Sequence, residues 1–234
     1  MLNRRLFLKG TGALAFSGLV SCSLILPKEQ EKRNKNFGYG PLQADPQGLL
    51  DLPAGFTYQV ISRLGDVMSD ELHVPDRADG MGCIGLSKDK VALIRNHELK
   101  PKHLPQQPAS IQTLTSRFAF DVNPQGIALP GGTSTIIYNL VTQQIEREYL
   151  SLIGTIRNCS GGVTPWGSWL SCEESVATAD AKIQRDHGYI FEVPANANGL
   201  VAAVPLKAMG RFNHEAACVD PSTGIVYLTE DRAD

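Results

Sequence analysis

Hydrophobic positions along this chain gather in short β-favouring runs of five or six residues: Phe56–Ile61, Lys90–Arg95, Arg117–Val122, Thr135–Leu140, Ile145–Leu150, Ser168–Cys172, Gly188–Val193 and Ile225–Thr229. Runs of that length, rich in β-branched and aromatic side chains, suit strands better than helices. Turn chemistry separates them at Asp51-Leu52-Pro53-Ala54-Gly55, Asn123-Pro124-Gln125-Gly126, Pro130-Gly131-Gly132 and Asp220-Pro221-Ser222-Thr223-Gly224. Thr135–Leu140 and Ile145–Leu150 flank a four-residue connection and predict a hairpin. Beyond the N-terminus no stretch keeps helical periodicity over three turns. The pattern predicts an all-β chain.

Acidic residues recur where these runs stop. Asn96-His97-Glu98 follows Val91–Arg95, and a second Asn-His-Glu stands at Asn213-His214-Glu215. Trp169–Cys172 runs into Glu173-Glu174, and Tyr227–Thr229 into Glu230-Asp231. Glu173 and Glu215 are 42 positions apart, close to the roughly 40–45 residues of one propeller blade. Sandwich, barrel and propeller all fit many short strands with regular turns; this one spacing adds weight to a β-propeller, the other gaps fit less well, and the alternatives stay open. Carboxylates brought to one rim repel one another unless a cation neutralises them. Ca²⁺, which takes six to eight oxygens, suits such a cluster.

The N-terminus reads as an address. Arg4-Arg5 followed by Leu6-Phe7-Leu8-Lys9 matches the twin-arginine export pattern. An uncharged stretch from Gly10 to Ser21 has the length of a signal helix and is short for a membrane span. Leu19-Val20-Ser21-Cys22 resembles a lipobox, in which Cys22 is lipidated and becomes the mature N-terminus. The expected organisation is a signal over 1–21, a polar tether over 22–36 and a folded domain over 37–234. Twin-arginine export carries folded proteins, which raises the expectation of a bound cofactor.

Composition narrows the function classes. Hydrophobic residues at 42% exclude a disordered chain, and Gly 22 with Pro 14 make about 15% of the residues, favouring turns. A net charge of −2, becoming −5 without residues 1–21, gives no electrostatic reason to expect nucleic acid. Of the five cysteines, Cys83, Cys159, Cys172 and Cys218 lie in the expected domain, with no CxxC and no zinc spacing. A buried apolar thiol is the default for each, and four cysteines would allow three disulfide pairings. Cys159 stands out in Arg157-Asn158-Cys159-Ser160-Gly161-Gly162-Val163-Thr164-Pro165-Trp166-Gly167-Ser168-Trp169, read as a rigid packed loop. Near Arg157 and acidic groups, its thiol is either a ligand of a softer metal such as iron or a structural side chain beside tryptophan.

On these segments the chain resembles the PhoX-type alkaline phosphatases, a bacterial family. The resemblance runs through Tyr39-Gly40-Pro41-Leu42, Asp45-Pro46, Leu50–Phe56, Val60-Ile61-Ser62-Arg63, Asp79-Gly80-Met81 and Arg95–Glu98. It continues through Asn158–Glu174, Gly210–Ala216 and Tyr227–Asp231. The Asn-Cys-x-Gly-Gly-x-Thr-Pro-Trp-Gly run ending in Cys-Glu-Glu is its most specific part. The resemblance implies a β-propeller holding iron and calcium at its central opening and hydrolysing phosphate monoesters outside the cytoplasm. It implies Cys159 as the iron-bound thiolate and Glu98, Glu173 and Glu215 as carboxylate ligands, with Glu174, Glu230 and Asp231 joining them. Asn96, His97 and His214 would stand behind the ligands or face substrate, with a place in the core the equal alternative for His97 and His214. The implied partners are a small-molecule phosphate ester and the export machinery, the implied location is the periplasm, and the membrane enters only through lipid on Cys22. Family members run longer, so the resemblance also implies that this is the N-terminal portion of such a domain, with further ligands beyond Asp234. Two other readings fit a carboxylate-lined opening: a calcium-dependent lactonase or phosphotriesterase, and a lipid-anchored binding protein whose calcium is structural.

Overall fold

The computed structural model describes residues 38–232; the expected signal helix, Cys22 and the tether lie outside them. The chain divides after Val60 into two units. In the first, β1 (Leu42–Gln43) pairs antiparallel with β2 (Leu52–Pro53). Asp45 organises the connection: its carboxylate accepts the Tyr58 hydroxyl at 2.6 Å and the amides of Gln47 and Leu49 at 3.0 and 2.8 Å. These donors, Tyr58 foremost, hold the Asp45 carboxyl down to about 2. Phe56–Ile61, expected as a strand, is not one. Phe56 N instead closes a turn on the Pro53 carbonyl, and Tyr58 is tied to Asp45.

The second unit begins with an antiparallel sheet of β3 (Ala78–Gly85), β4 (Lys90–His97), β5 (Gly131–Asn139) and β6 (Gln144–Thr155), in that order. β4 and β5 keep one register from Lys90↔Asn139 to His97↔Gly132. The expected hairpin is β5–β6, its turn fixed by Asn139 Oδ1 accepting from the amides of Val141 and Thr142 at 2.9 and 3.0 Å. A three-stranded sheet follows, β7 (Asn158–Val163), β8 (Ser168–Glu173) and β9 (Ile190–Pro194), and then the pair β10 (His214–Val219) and β11 (Val226–Glu230). The described helical segments are single short turns at Pro101–Gln106, Ala109–Gln112 and Lys207–Met209. The described residues are thus mostly β, as expected. Their sheets are small antiparallel meanders, none closes on itself, and no propeller ring is completed among them.

In the second unit β3, β7 and β10 escaped the sequence pattern, and for β3 and β7 glycine is the reason. β3 carries Gly80 and Gly82, and β7 carries Gly161 and Gly162, residues that read as loop but here permit close backbone approach. A Cβ on Gly80 would lie 2.7 Å from the Cys159 carbonyl oxygen, one on Gly82 would enter the Trp169 ring, and one on Gly162 would strike the Ala217 carbonyl of β10. β3 and β10 can therefore both press against β7. Only Thr164–Gly167 remains loop, the tight β7–β8 connection, with Thr164 N bonded to Ser168 O at 2.9 Å. Arg117–Val122 fails as a strand because its amides are spent on a turn at Ser116 and on the Ile153 and Gly154 carbonyls at the end of β6.

The core between the first two sheets joins Ile84, Ile94, Leu152, Trp169, Phe191 and Val193. Asn96, fully buried, ties these sheets together: Nδ2 donates to Ser160 O at 2.8 Å, and Oδ1 accepts from Trp169 Nε1 and Ser171 Oγ, both at 2.9 Å. His97 is likewise a core residue, bonded to Asp76 O at 3.0 Å and Ser134 Oγ at 2.9 Å. Burial and the Arg95 charge push its pKa down to about 3.

A second buried polar knot braces the far ends of β6 and β8. Glu173 Oε1 accepts from Ile156 N at 2.9 Å and lies 2.7 Å from His187 Nδ1, while Oε2 accepts from Gly188 N at 2.8 Å. His187 Nε2 reaches Asp121 at 3.2 Å, and all three side chains are buried. Burial opposes charge on His187, but Glu173 and Asp121 outweigh it and raise its pKa above 6.5.

Two outcomes follow from this packing. Gly162→Ala should lower unfolding free energy by about 1–3 kcal/mol in urea denaturation, because the obstacle is backbone. Gly199→Ala, which meets nothing within 4 Å, should stay within about 0.5 kcal/mol. In an NMR pH titration the His187 ring should show a midpoint above 6.5 and the His97 ring one near 3. The linkage signs are opposite. His187 contributes stability that is whole below the ordinary histidine range and is lost as pH rises through its raised value. His97 costs stability as pH falls below that range, because the unfolded chain takes up the proton that the folded chain refuses.

Candidate metal centre

Cys159 is the second residue of β7, the strand that β3 and β10 crowd, and the crowding brings distant acids to its thiol. Cys159 Sγ donates toward the His214 carbonyl at 3.4 Å and toward Glu215 Oε2 at 3.6 Å, both at the start of β10. Glu174 arrives from the end of β8, its amide donating to the Arg157 carbonyl at 2.9 Å. One ligand atom from each of Cys159, Glu174 and Glu215 lies within 4.8 Å of the other two. Cys159 is buried, and the two carboxylates are half-buried.

Arg157, at a left-handed φ of 49°, precedes this group. Its Nε lies 2.8 Å from Glu98 Oε1, and its Nη2 pairs with Glu174. The tight turn between β6 and β7 thus aims one guanidinium at acids from two different sheets.

The electrostatics are those of a site short of positive charge. Burial pushes the Cys159 thiol up, and the charges of Glu215 and Glu174 push further. Glu174 is raised by burial, then by Glu215 and by the hydrogen bond its protonated form donates to Asp231, against the pull of Arg157. Asp79, on β3, is raised by burial and by Glu98. A cation among these groups would oppose the upward push on Glu174 and Asp79. Beside them, His214 is buried with Nδ1 unpartnered, its other nitrogen 3.3 Å from Gly210 O and its ring stacked on Phe212 at 3.6 Å.

The residues singled out by sequence divide accordingly. Cys159, Glu174 and Glu215 come together; Glu98 joins them through Arg157, and Asp231 through Glu174. Glu173 does not, because alternation along an extended chain sends successive side chains to opposite faces and its oxygens are filled in the core. Glu230 is exposed, with Arg232 at 3.9 Å. Asn96 is a sheet-to-sheet strut, His97 is a core residue bonded within its own sheet and to the Asp76 carbonyl, and His214 offers the thiol its carbonyl. Asp79 and Arg157 were not assigned as members of the group; the charges flanking Gly80 and Cys159 were visible, but nothing local placed them together. The four cysteines described are free. Cys83 and Cys218 are exposed, against the default of burial, whereas Cys172 is buried, its thiol pushed up to about 12 by burial and the Glu215 charge.

The donor set fits a cation. A thiol with two carboxylates suits a transition metal that accepts both soft and hard ligands, and the surrounding Asp79, Glu98 and Asp231 supply oxygen donors of the kind calcium prefers. No curated protein and no solved structure matches the chain. The family model described as alkaline phosphatase PhoX matches residues 37–137 and 128–234, covering both described units and every member of the Cys159 group. The chain belongs to the alkaline phosphatase PhoX family.

Proposed function

We propose that this chain is part of an exported, metal-dependent phosphatase that hydrolyses phosphate monoesters, with iron held by Cys159, Glu174 and Glu215. The observation that carries the reading is the convergence of one buried thiol and two carboxylates within 4.8 Å, in a chain of a phosphatase family. Calcium is assigned to the oxygen donors around that group, Glu98 and Asp79 on the Arg157 side and Asp231 beside Glu174. Such cations, when bound, supply positive charge against the phosphoryl oxygens as negative charge develops on them. The protein's own residues do the placing. Arg157 orients Glu98 and Glu174, the Glu173–His187 knot fixes the backbone beside both, and the buried Cys159 keeps water from one side of the group. Arg4-Arg5 and Cys22 support twin-arginine export and a lipid anchor outside the cytoplasm. The consecutive antiparallel meanders are consistent with blades of a propeller.

Elemental analysis and hydrolysis assays on the full chain test this reading. The protein as purified should carry iron and calcium and cleave p-nitrophenyl phosphate in preference to a lactone or a phosphotriester. Cys159→Ser should lose iron and at least about 100-fold in kcat/KM, the scale for removing a group that holds the catalytic charge. Cys172→Ser, a change in the neighbouring core thiol, should retain iron. Iron content that survives in Cys159→Ser would remove the thiolate assignment. Calcium without iron, together with lactone cleavage, would move the chain to a different chemistry.

A further inference from the structure

Arg157, besides meeting Glu98 and Glu174, lines a cavity of about 370 Å³. Lys100, Lys102 and Lys182 line it too, and Asp180 is the one acid among the lining residues, Arg157 being already paired with Glu98 and Glu174. This inverts the balance of a chain whose net charge is −2. Among the described residues none of the three lysines forms an ion pair. Asp180 already accepts the amides of Lys182 and Ile183 at 2.7 and 3.0 Å. The same positive field reaches His103, whose pKa is lowered by burial and by Arg77, Lys102 and Lys100. Ser175, next in sequence to Glu174, forms part of the wall, so the cavity abuts the metal centre. A second cavity of about 380 Å³ neighbours it, sharing Pro101, Lys102 and Lys182 in its lining and adding Leu104 and Pro124. There is room for a leaving group and for an anion on it.

We propose that the basic cavity beyond Arg157 binds a second phosphate carried by the leaving group, so that the preferred substrates are small organic bisphosphates. This rests on the phosphatase reading above and names the substrate class of that site. One phosphate lies at the Cys159 group, the spacer passes Arg157 and Ser175, and the second phosphate meets Lys100, Lys102 and Lys182. Solvent-exposed lysines act on such a group mainly through screened charge, each adding a modest share.

Calorimetry with the metal-loaded full chain tests this, using propane-1,3-bisphosphonate against propylphosphonate. The bisphosphonate should bind about tenfold tighter, the sum expected of three exposed charge pairs. The Lys100→Gln, Lys102→Gln, Lys182→Gln triple variant should bring the two affinities within about twofold of each other. Raising salt from roughly 50 to 500 mM should erode the wild-type preference, a readout that does not depend on the variant folding. Equal affinities in the wild type, or a preference that survives either the triple variant or high salt, would overturn the proposal. Hydrolysis of p-nitrophenyl phosphate without any bisphosphonate preference would remove this inference and leave the phosphatase. A preference in a chain that cleaves no monoester would remove the phosphatase and leave an anion site.

Discussion

The absence of side chains at the points where β3, β7 and β10 come closest governs the arrangement of the rest of the second unit. Gly80 leaves room for the Cys159–Ser160 backbone and Gly162 for the Ala217 carbonyl, so two other strands can approach the strand that carries the thiol. Any Cβ there would push β3 or β10 outward by a sizeable fraction of a strand spacing. Asp79, on β3, and Glu215, on β10, would move with them. The chemistry of the centre therefore depends on glycines that belong to no ligand set.

Crowding acids in this way is costly unless their surroundings are rigid, and buried polar knots supply the rigidity. Asn96 uses its carbonyl and amide to hold Trp169, Ser171 and Ser160, joining the first sheet to the second. Glu173 fastens Ile156 on one side and His187 on the other, and those contacts immobilise the residues that adjoin Arg157 and Glu174. Satisfied buried networks specify a unique arrangement where apolar packing would tolerate slippage. The paired acids Glu173-Glu174 show the division of labour within two residues: one is structural and neutralised inside, the other is held at the rim.

Charge is sorted in space as well. Arg157 pairs with Glu98 and Glu174 near the thiol and also lines the cavity that holds Lys100, Lys102 and Lys182. A substrate with negative charge at both ends suits that polarity once cations occupy the acidic side.

Much of the strand content was legible because apolar β-branched runs bounded by turn residues have few other stable uses; β4, β5, β6, β8, β9 and β11 all lie where such runs predict them. The motif around Cys159 and the acids at strand ends were equally visible, since residue identity carries that chemistry. What the sequence could not assign was direction and neighbour. Whether Glu173 or Glu174 faces the rim depends on strand phase, and whether glycine marks a loop or a close approach depends on what packs against it. Strands β3, β7 and β10, the core roles of Asn96 and His97, the meeting of Asp79 with Glu98 and Arg157, and the basic cavity all required residues far apart in the chain to be brought together. Local propensity determined the elements by themselves; tertiary packing decided which charges meet, because electrostatic and steric contact act through space and take no account of sequence separation.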